Sequence, residues 1–552
     1  MASGTSRFFL ARLPAILGRT LFALTLVAAP WLLLAGLLHI YCGARITDAL
    51  PGDGDFTFYW HEIATYAAVG FRGGYYGFEE LVAPATRLGL GGFGAHSAFF
   101  PMLFGIIGRF VGWGLASGTI FSLSAVSLGL AGFVLLLRKD FRLQIWAGAL
   151  LLTNILFFIY IARCSPEGVH IACGFLFAAL FIRHFEAATP QARRTWFAVL
   201  YIVIFLAALL RYSWGLVFLP LFFTPKDVQR WPGRETALRG LACLASIAAT
   251  YVLYNLFMAP YPYEPFPGSA FGLPVYLEAL KGDIRPLWTL ITTNAKTIFA
   301  PRQPTFTDAI VYVYLAFLVI NALALSLRLV FLPRDDTACR KKLRFTLFFL
   351  LTTMVPLLLL CFCYYYVSLG GIGAKILLPV FTMSYLVTAR YMPVPAVPVA
   401  LVFFLGLAPM ALQTFQKWTL PDYDTVATTT RQTVTQTSQA LLPLLAYTPG
   451  VDPWCNTVVT LDNGLPPAYT AIPAGVAFQI LRYAQNGPKQ FRYTPWHKER
   501  GILSHYILTQ NPRDIEALSK QIPLTFLADT PIGRLYRNEA SACRNTGRPN
   551  RQ

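Results

Sequence analysis

Charge is what this chain has least of. Charged residues make up 13% of 552, and acids are the scarcer kind: 26 Asp and Glu stand against 45 Lys and Arg, for a net charge of +19. With 56% apolar residues and a mean hydropathy of +0.53, the composition is that of a membrane protein and excludes an ordinary soluble domain. The basic excess does not point to nucleic acid. Lys and Arg fall in short clusters between apolar runs, where they act as a topology signal. Other absences narrow the field further. The chain shows no low-complexity tract, no repeat of about 20–50 residues, no phosphate-cradling Gly-rich loop, no Walker pattern and no Ser/His/Asp constellation. Chemistry driven by cytosolic nucleotides is therefore not written here. The nine cysteines lack metal-ligand spacing. Most read as packed thiols, Cys361-x-Cys363 included. Cys455 and Cys543 lie in a polar C-terminal segment, and in an oxidising compartment they could pair, with two unpaired thiols as the alternative.

What is there is a series of apolar runs of roughly 20 residues, the length that crosses a bilayer. The first ends at His39-Ile-Tyr-Cys42 without a small-x-small cleavage site, so it reads as an uncleaved span. Counting from a cytoplasmic N-terminus gives about eleven crossings. These are Leu21–Tyr41, Ala116–Leu137, Ile145–Ala162, Val169–Phe185, Trp196–Leu210, Tyr212–Thr224, Gly240–Ala259, Asp308–Leu332, Phe345–Val367, Ile376–Ala389 and Val394–Phe415. Phe99–Trp113 is apolar but short and interrupted by Arg109, which suits an interfacial helix. Loops that this count leaves in the cytosol are short and basic, and the acids gather outside. The expectation is a mainly α, polytopic protein of the bacterial inner membrane with a periplasmic C-terminus. Residues 1–415 form its membrane domain, with 42–114 as the first periplasmic loop, and 416–552 form a small soluble α/β domain. In that domain the segment around 416–447 reads as an amphipathic helix. Thr457–Leu461, His505–Thr509 and Leu524–Leu527 read as strands, and Ala471–Tyr483 and Pro512–Gln521 as helices.

Against so few charges, two groups stand out. One is the outer loop Pro51-Gly-Asp-Gly-Asp-Phe-Thr-Phe-Tyr-Trp-His-Glu62, which packs three acids and four aromatics beside a span. Asp55 is placed to take a proton from a hydroxyl as a general base. Asp53 could do the same, bind a metal, or be a solvated turn residue. His61 and Glu62 follow on a predicted helix, and His96 could reach a hydroxyl or a phosphate. The other group is three cations that break the charge rule at outer ends of spans: Arg163, Arg211 and Lys375. They need anions, either protein carboxylates or a phosphate at headgroup depth. Glu167 lies four residues after Arg163, and a simple Arg163–Glu167 ion pair is one reading of it.

With these residues in place, the sequence resembles the GT-C class of membrane glycosyltransferases, including the protein-mannosyltransferase-like and aminoarabinose-transferase-like families. The resemblance rests on the first-loop acid Asp55 with Asp53 beside it, the turn Ala162-Arg163-Cys-Ser-Pro-Glu167, the cationic turn running from Arg211 to Pro220, Lys375-Ile-Leu-Leu-Pro379, and the layout of spans with a small outer domain. It implies an enzyme that takes a sugar from a polyprenyl-phosphate carrier and passes it, with inversion, to a lipid, glycan or protein acceptor. Asp55 would be the base, and Lys375, Arg211 and Arg163 would stabilise the departing phosphate. It also leaves room for a divalent metal (Mg or Mn) on Asp53, Asp55 or Glu167. A polymerase or ligase using a lipid diphosphate donor, and a lipid or glycan transporter, are the other readings.

Overall fold

Backbone polar groups in hydrocarbon must be satisfied within their own segment, so the apolar runs become helices. In the computed structural model these are α1 (Gly4–Cys42), α2 (Asp55–Val69), α3 (Phe99–Val111), α4 (Ser117–Leu136), α5 (Phe141–Thr153), α6 (Leu156–Ile161), α7 (Glu167–Glu186), α8 (Pro190–Leu210), α9 (Phe218–Phe223), α10 (Gly233–Leu256), α11 (Phe306–Phe331), α12 (Thr337–Tyr364), α13 (Leu369–Tyr391), α14 (Ala396–Gly406), α15 (Ala408–Trp418) and α16 (Thr425–Leu441). The structure describes residues 4–52, 55–70, 78–82, 99–223, 233–256, 305–364, 369–392, 396–423, 425–445, 457–460, 470–483, 505–509 and 522–539, with a few more between 281 and 292 and between 515 and 520.

Among the described residues seven helices are long and apolar enough to cross a membrane: Leu17–Cys42, α4, α7, α8, Gly233–Tyr254, α11 and Thr337–Leu360. The pair α14 and α15 would make an eighth if its 56° bend lies within one span. Gly406 and Pro409 flank that bend and weaken the helix there. The chain is thus a multi-pass membrane protein, and helix length alone does not reach the expected eleven crossings. Two expected spans are broken. Ile145–Ala162 divides at Asn154, whose side-chain oxygen accepts from the Leu156 N–H at 3.2 Å and competes with the helix ladder. Tyr212–Thr224 is a 3₁₀ turn, Tyr212–Val217, followed by the short α9. α3 buries Phe100 and Phe104 and exposes Leu103, Ile106, Phe110 and Val111, the two-sided character of a helix lying at an interface.

Close packing in the bundle depends on missing side chains. A Cβ on Gly129 of α4 would lie 2.6 Å from the Ala172 Cα of α7. One on Gly174 of α7 would lie 2.5 Å from the Pro379 carbonyl oxygen of α13. α7 is therefore held between α4 and α13 at near-backbone distance. At its far end Arg390 of α13 pairs with Glu186 at 2.9 Å and with Asp140 at 2.8 Å.

The other end carries a six-stranded sheet in the order β1-β3-β2-β4-β6-β5. Its strands are β1 (Phe78–Val82), β2 (Thr457–Thr460), β3 (Ala477–Tyr483), β4 (Tyr506–Thr509), β5 (Leu524–Thr530) and β6 (Gly533–Asn538). β1, β3, β2 and β4 run parallel, and β6 and β5 form an antiparallel hairpin beside them. Three strands match their expected positions. The expected helix Ala471–Tyr483 is corrected: from Ala477 it is β3, the partner of both β2 and β1. β1 comes from the first loop, so the sheet is not built from 416–552 alone. Its underside shares one core with the loop helices. Ile472, Val476, Leu508, Ile532 and Leu535 cluster with Phe58, Tyr59 and Ile63 of α2, with Phe100 and Phe104 of α3, and with Leu441.

Candidate active site

Three expected residues meet at the sheet-side end of α7. Glu167 opens that helix, where the positive end of the helix dipole suits an acid. Its side chain is 1% exposed. The Arg211 guanidinium donates to its Oε1. Lys375 Nζ stands 3.5 Å from the same oxygen, 24% exposed, and makes no hydrogen bond among the described residues. Arg211 caps the end of α8 in extended conformation and leads into the 3₁₀ turn. That turn is fastened a second time: Trp214 Nε1–H donates to His170 Nδ1 at 3.0 Å, one helical turn beyond Glu167. An indole can only donate, so His170 must accept there. Gly174 admits α13 two turns below Glu167, and Lys375 lies one turn above the Pro379 contact. One buried carboxylate thus faces two cations, the more exposed of which has donors to spare.

Arg163 does not pair with Glu167. Its Nε lies 3.1 Å from Asp422 Oδ2, and its guanidinium sits 5.0 Å from the centroid of the Phe56 ring. Phe56 follows Asp55, and Asp55 enters as the first residue of α2, by its backbone alone. The start of α2 is thereby placed against the turn that carries Arg163 and, four residues on, Glu167.

The remaining expected residues divide. His61 is buried on α2, and its Nε2 donates to the Ile472 carbonyl at 2.8 Å. It ties the loop helix to the sheet, as does Thr65, whose hydroxyl accepts from the Gly475 N–H at 3.0 Å. Burial holds the His61 imidazole down to about 4. Glu62 is buried beside it, its Oε2 without a hydrogen-bond partner among the described residues, and burial pushes its carboxyl well above the usual range. Asp53, His96, Cys455 and Cys543 lie outside the described residues. Cys42, Cys164, Cys173, Cys243 and Cys339 are free thiols. Among the described residues no three His, Cys, Asp or Glu side chains converge as a metal site. Glu167 does not fit one: two cations already face it, which opposes a divalent ion.

Asp422, Phe56, His170 and Trp214 were not foreseen. Asp422 had a signal, being the first acid after Asp336 and lying just beyond the last apolar run. His170 had only its spacing of three from Glu167 on a helix.

No protein-family model matches the chain, and no curated protein matches it. Two solved structures are similar to it over nearly their whole length. The crystal structure of ArnT from Cupriavidus metallidurans in the apo state has a TM-score of 0.40 at 13% identity, covering 96% of this chain and 99% of that one. A second, of ArnT from the same organism bound to undecaprenyl phosphate, has a TM-score of 0.42 at 13% identity, over 95% and 99%. A likeness this loose locates no residue, and the site stands on the distances given above.

Proposed function

We propose that the protein is a membrane glycosyltransferase that moves a sugar from a polyprenyl-phosphate carrier to a lipid, glycan or protein acceptor at the outer face of the membrane. One observation carries the reading: Arg211 and Lys375 share the buried carboxylate of Glu167, four residues after Arg163, which lies over Phe56 next to Asp55. The described charges leave an excess cation at Glu167, and the order of spans expected from the sequence puts it at headgroup depth. A phosphate is the anion that such a place meets. Buried charges in membrane proteins more often serve a ligand than stability.

In the reaction Asp55 takes the proton of the acceptor hydroxyl. The acceptor oxygen forms a bond to the anomeric carbon as the bond from that carbon to the phosphate oxygen breaks. The electron pair leaves with the phosphate, which gains one negative charge. Lys375 and Arg211 stabilise that charge as it develops, while Glu167 keeps both cations in place. Displacement in one step inverts the anomeric centre. The donor follows from compartment chemistry, since nucleotide sugars are not available on that face.

The test is transfer in membranes supplied with radiolabelled polyprenyl-phosphate sugars. Asp55→Asn keeps the size of the side chain and removes its basicity, and it should cut turnover by about 10²-fold or more in a protein that still inserts. If Asp55→Asn and Asp53→Asn both keep wild-type turnover, the first-loop acid is not the base and the reading fails. Lys375→Ala should raise the donor KM by roughly one to two decades, through loss of charge-assisted hydrogen bonds.

A further inference from the structure

We infer that Arg163 is a positioning residue: with Asp422 it clamps the first turn of α2 and so sets where Asp55 stands, rather than binding the donor phosphate. The inference rests on Asp55 being the base. Both partners are nearly buried, with Arg163 12% and Asp422 7% exposed. A buried pair contributes little net stability because desolvation offsets the attraction, and its best-attested use is to fix geometry. The geometry here is closely determined. Guanidinium over ring is a favourable cation–π arrangement, and the ring is Phe56, the neighbour of Asp55.

The backbone at Gly52 lies against the Phe56 ring and Asp422 with no room to spare. Gly52 has a left-handed φ of +89°, and a Cβ there would meet the Phe56 ring at 3.2 Å and Asp422 Oδ2 at 3.3 Å. Thr57 Oγ1 donates to the Gly52 carbonyl at 2.6 Å and closes the entry turn. Leu50 N–H donates to the Asp422 carbonyl at 3.1 Å. From the other side, the Ala162 carbonyl accepts from Tyr423 Oη at 2.8 Å and from Thr119 Oγ1 at 2.9 Å, locking the turn before Arg163 to the segment of Asp422. Leu50, Gly52, Phe56 and Thr57, the pair Ala162 and Arg163, and the pair Asp422 and Tyr423, remote from one another in sequence, therefore fix one another. The contrast with Lys375 is plain. Arg163 has its charge met by Asp422 and lies over Phe56, whereas Lys375 is more exposed and makes no hydrogen bond among the described residues.

Two mild variants separate positioning from binding. Phe56→Leu keeps the ion pair and removes the ring, and Arg163→Lys keeps the charge and removes the planar group. Both should lower kcat by about tenfold to a hundredfold, the cost of misplacing a reacting group by about an ångström, with the donor KM within about twofold of wild type. Lys375→Ala should show the opposite split. Hydrogen exchange gives a readout independent of turnover: amides of 55–62 should exchange faster in both variants, while those at the start of α7 should not. A raised donor KM at unchanged kcat, or unchanged exchange over 55–62, overturns the inference. Wild-type turnover in Asp55→Asn removes the base instead, and leaves the clamp to be judged by exchange alone.

Discussion

Glu62 carries a cost that its neighbours do not repay. Its Oε2 is buried without a hydrogen bond among the described residues, and burial raises its pKa. A carboxyl raised in the fold contributes full stability below its unfolded value of 4.5, and that stability is lost as pH climbs towards the raised folded value. His61, next to it, behaves in the opposite sense. Its pKa falls from 6.5 to about 4, so the fold loses stability as pH drops through that window, by up to roughly 3 kcal/mol. The melting temperature in detergent should therefore be highest between the two limbs. Glu62→Gln should raise it relative to wild type more at pH 8 than at pH 4.5. A difference that does not change with pH would mean that Glu62 is ionised in the fold. At this scale the sequence showed cations well and their partners badly. Arg211 and Lys375 stood out because they break the charge pattern of membrane loops, and the structure brings both to Glu167. Arg163 stood out for the same reason, but the nearby Glu167 was the obvious partner on spacing. The true one, Asp422, is distant in sequence and had no motif to announce it.

Between elements, small residues decide how near two helices can come, so identical substitutions should act with opposite sign. Gly129→Ala forces a Cβ to 2.6 Å from Ala172 and should destabilise by about 1–3 kcal/mol, the usual cost of overpacking. Gly36→Ala on α1, with nothing within 4 Å of the new carbon, should be neutral or stabilising by about 0.4–1 kcal/mol. Equal effects in thermal unfolding would show that α4 and α7 yield to one another. The helices themselves were legible, because hydropathy over twenty residues is a strong signal. Breaks within them were not. Asn154 interrupts an apolar run through one side-chain hydrogen bond that composition does not reveal. Strands rich in β-branched residues, such as Thr457-Val-Val-Thr460, were also legible. β3 was not: Ala477-Phe-Gln-Ile-Leu-Arg-Tyr483 carries apolar spacing that suits either a helix or a strand, and its neighbours in the sheet decided the matter.

Taken whole, the molecule is a helix bundle with one basic end, where Arg390 gathers Asp140 and Glu186, and one end that carries the sheet and the proposed site. The positive-inside rule predicts that the basic end faces the cytosol. A reporter active only outside the cytoplasm should then be active when fused after Gln552 and silent when fused after Arg340, and the reverse result would invert the molecule. One feature of the sheet bears on how the protein is made. β1 pairs with β3, whose residues follow it by about 400 positions, Phe78 facing Gln479 for example. At a ribosomal rate of about 5–20 residues per second, the first loop waits roughly 20–80 s for its partner. In that interval α2 lacks its contacts to Ile472 and Gly475. A chain arrested after α13 therefore holds Glu167, Arg211 and Lys375 without the support that fixes the loop helix. If the proposed function holds, competence arrives only with the final segment, and unfinished copies are kept from acting on the lipid around them.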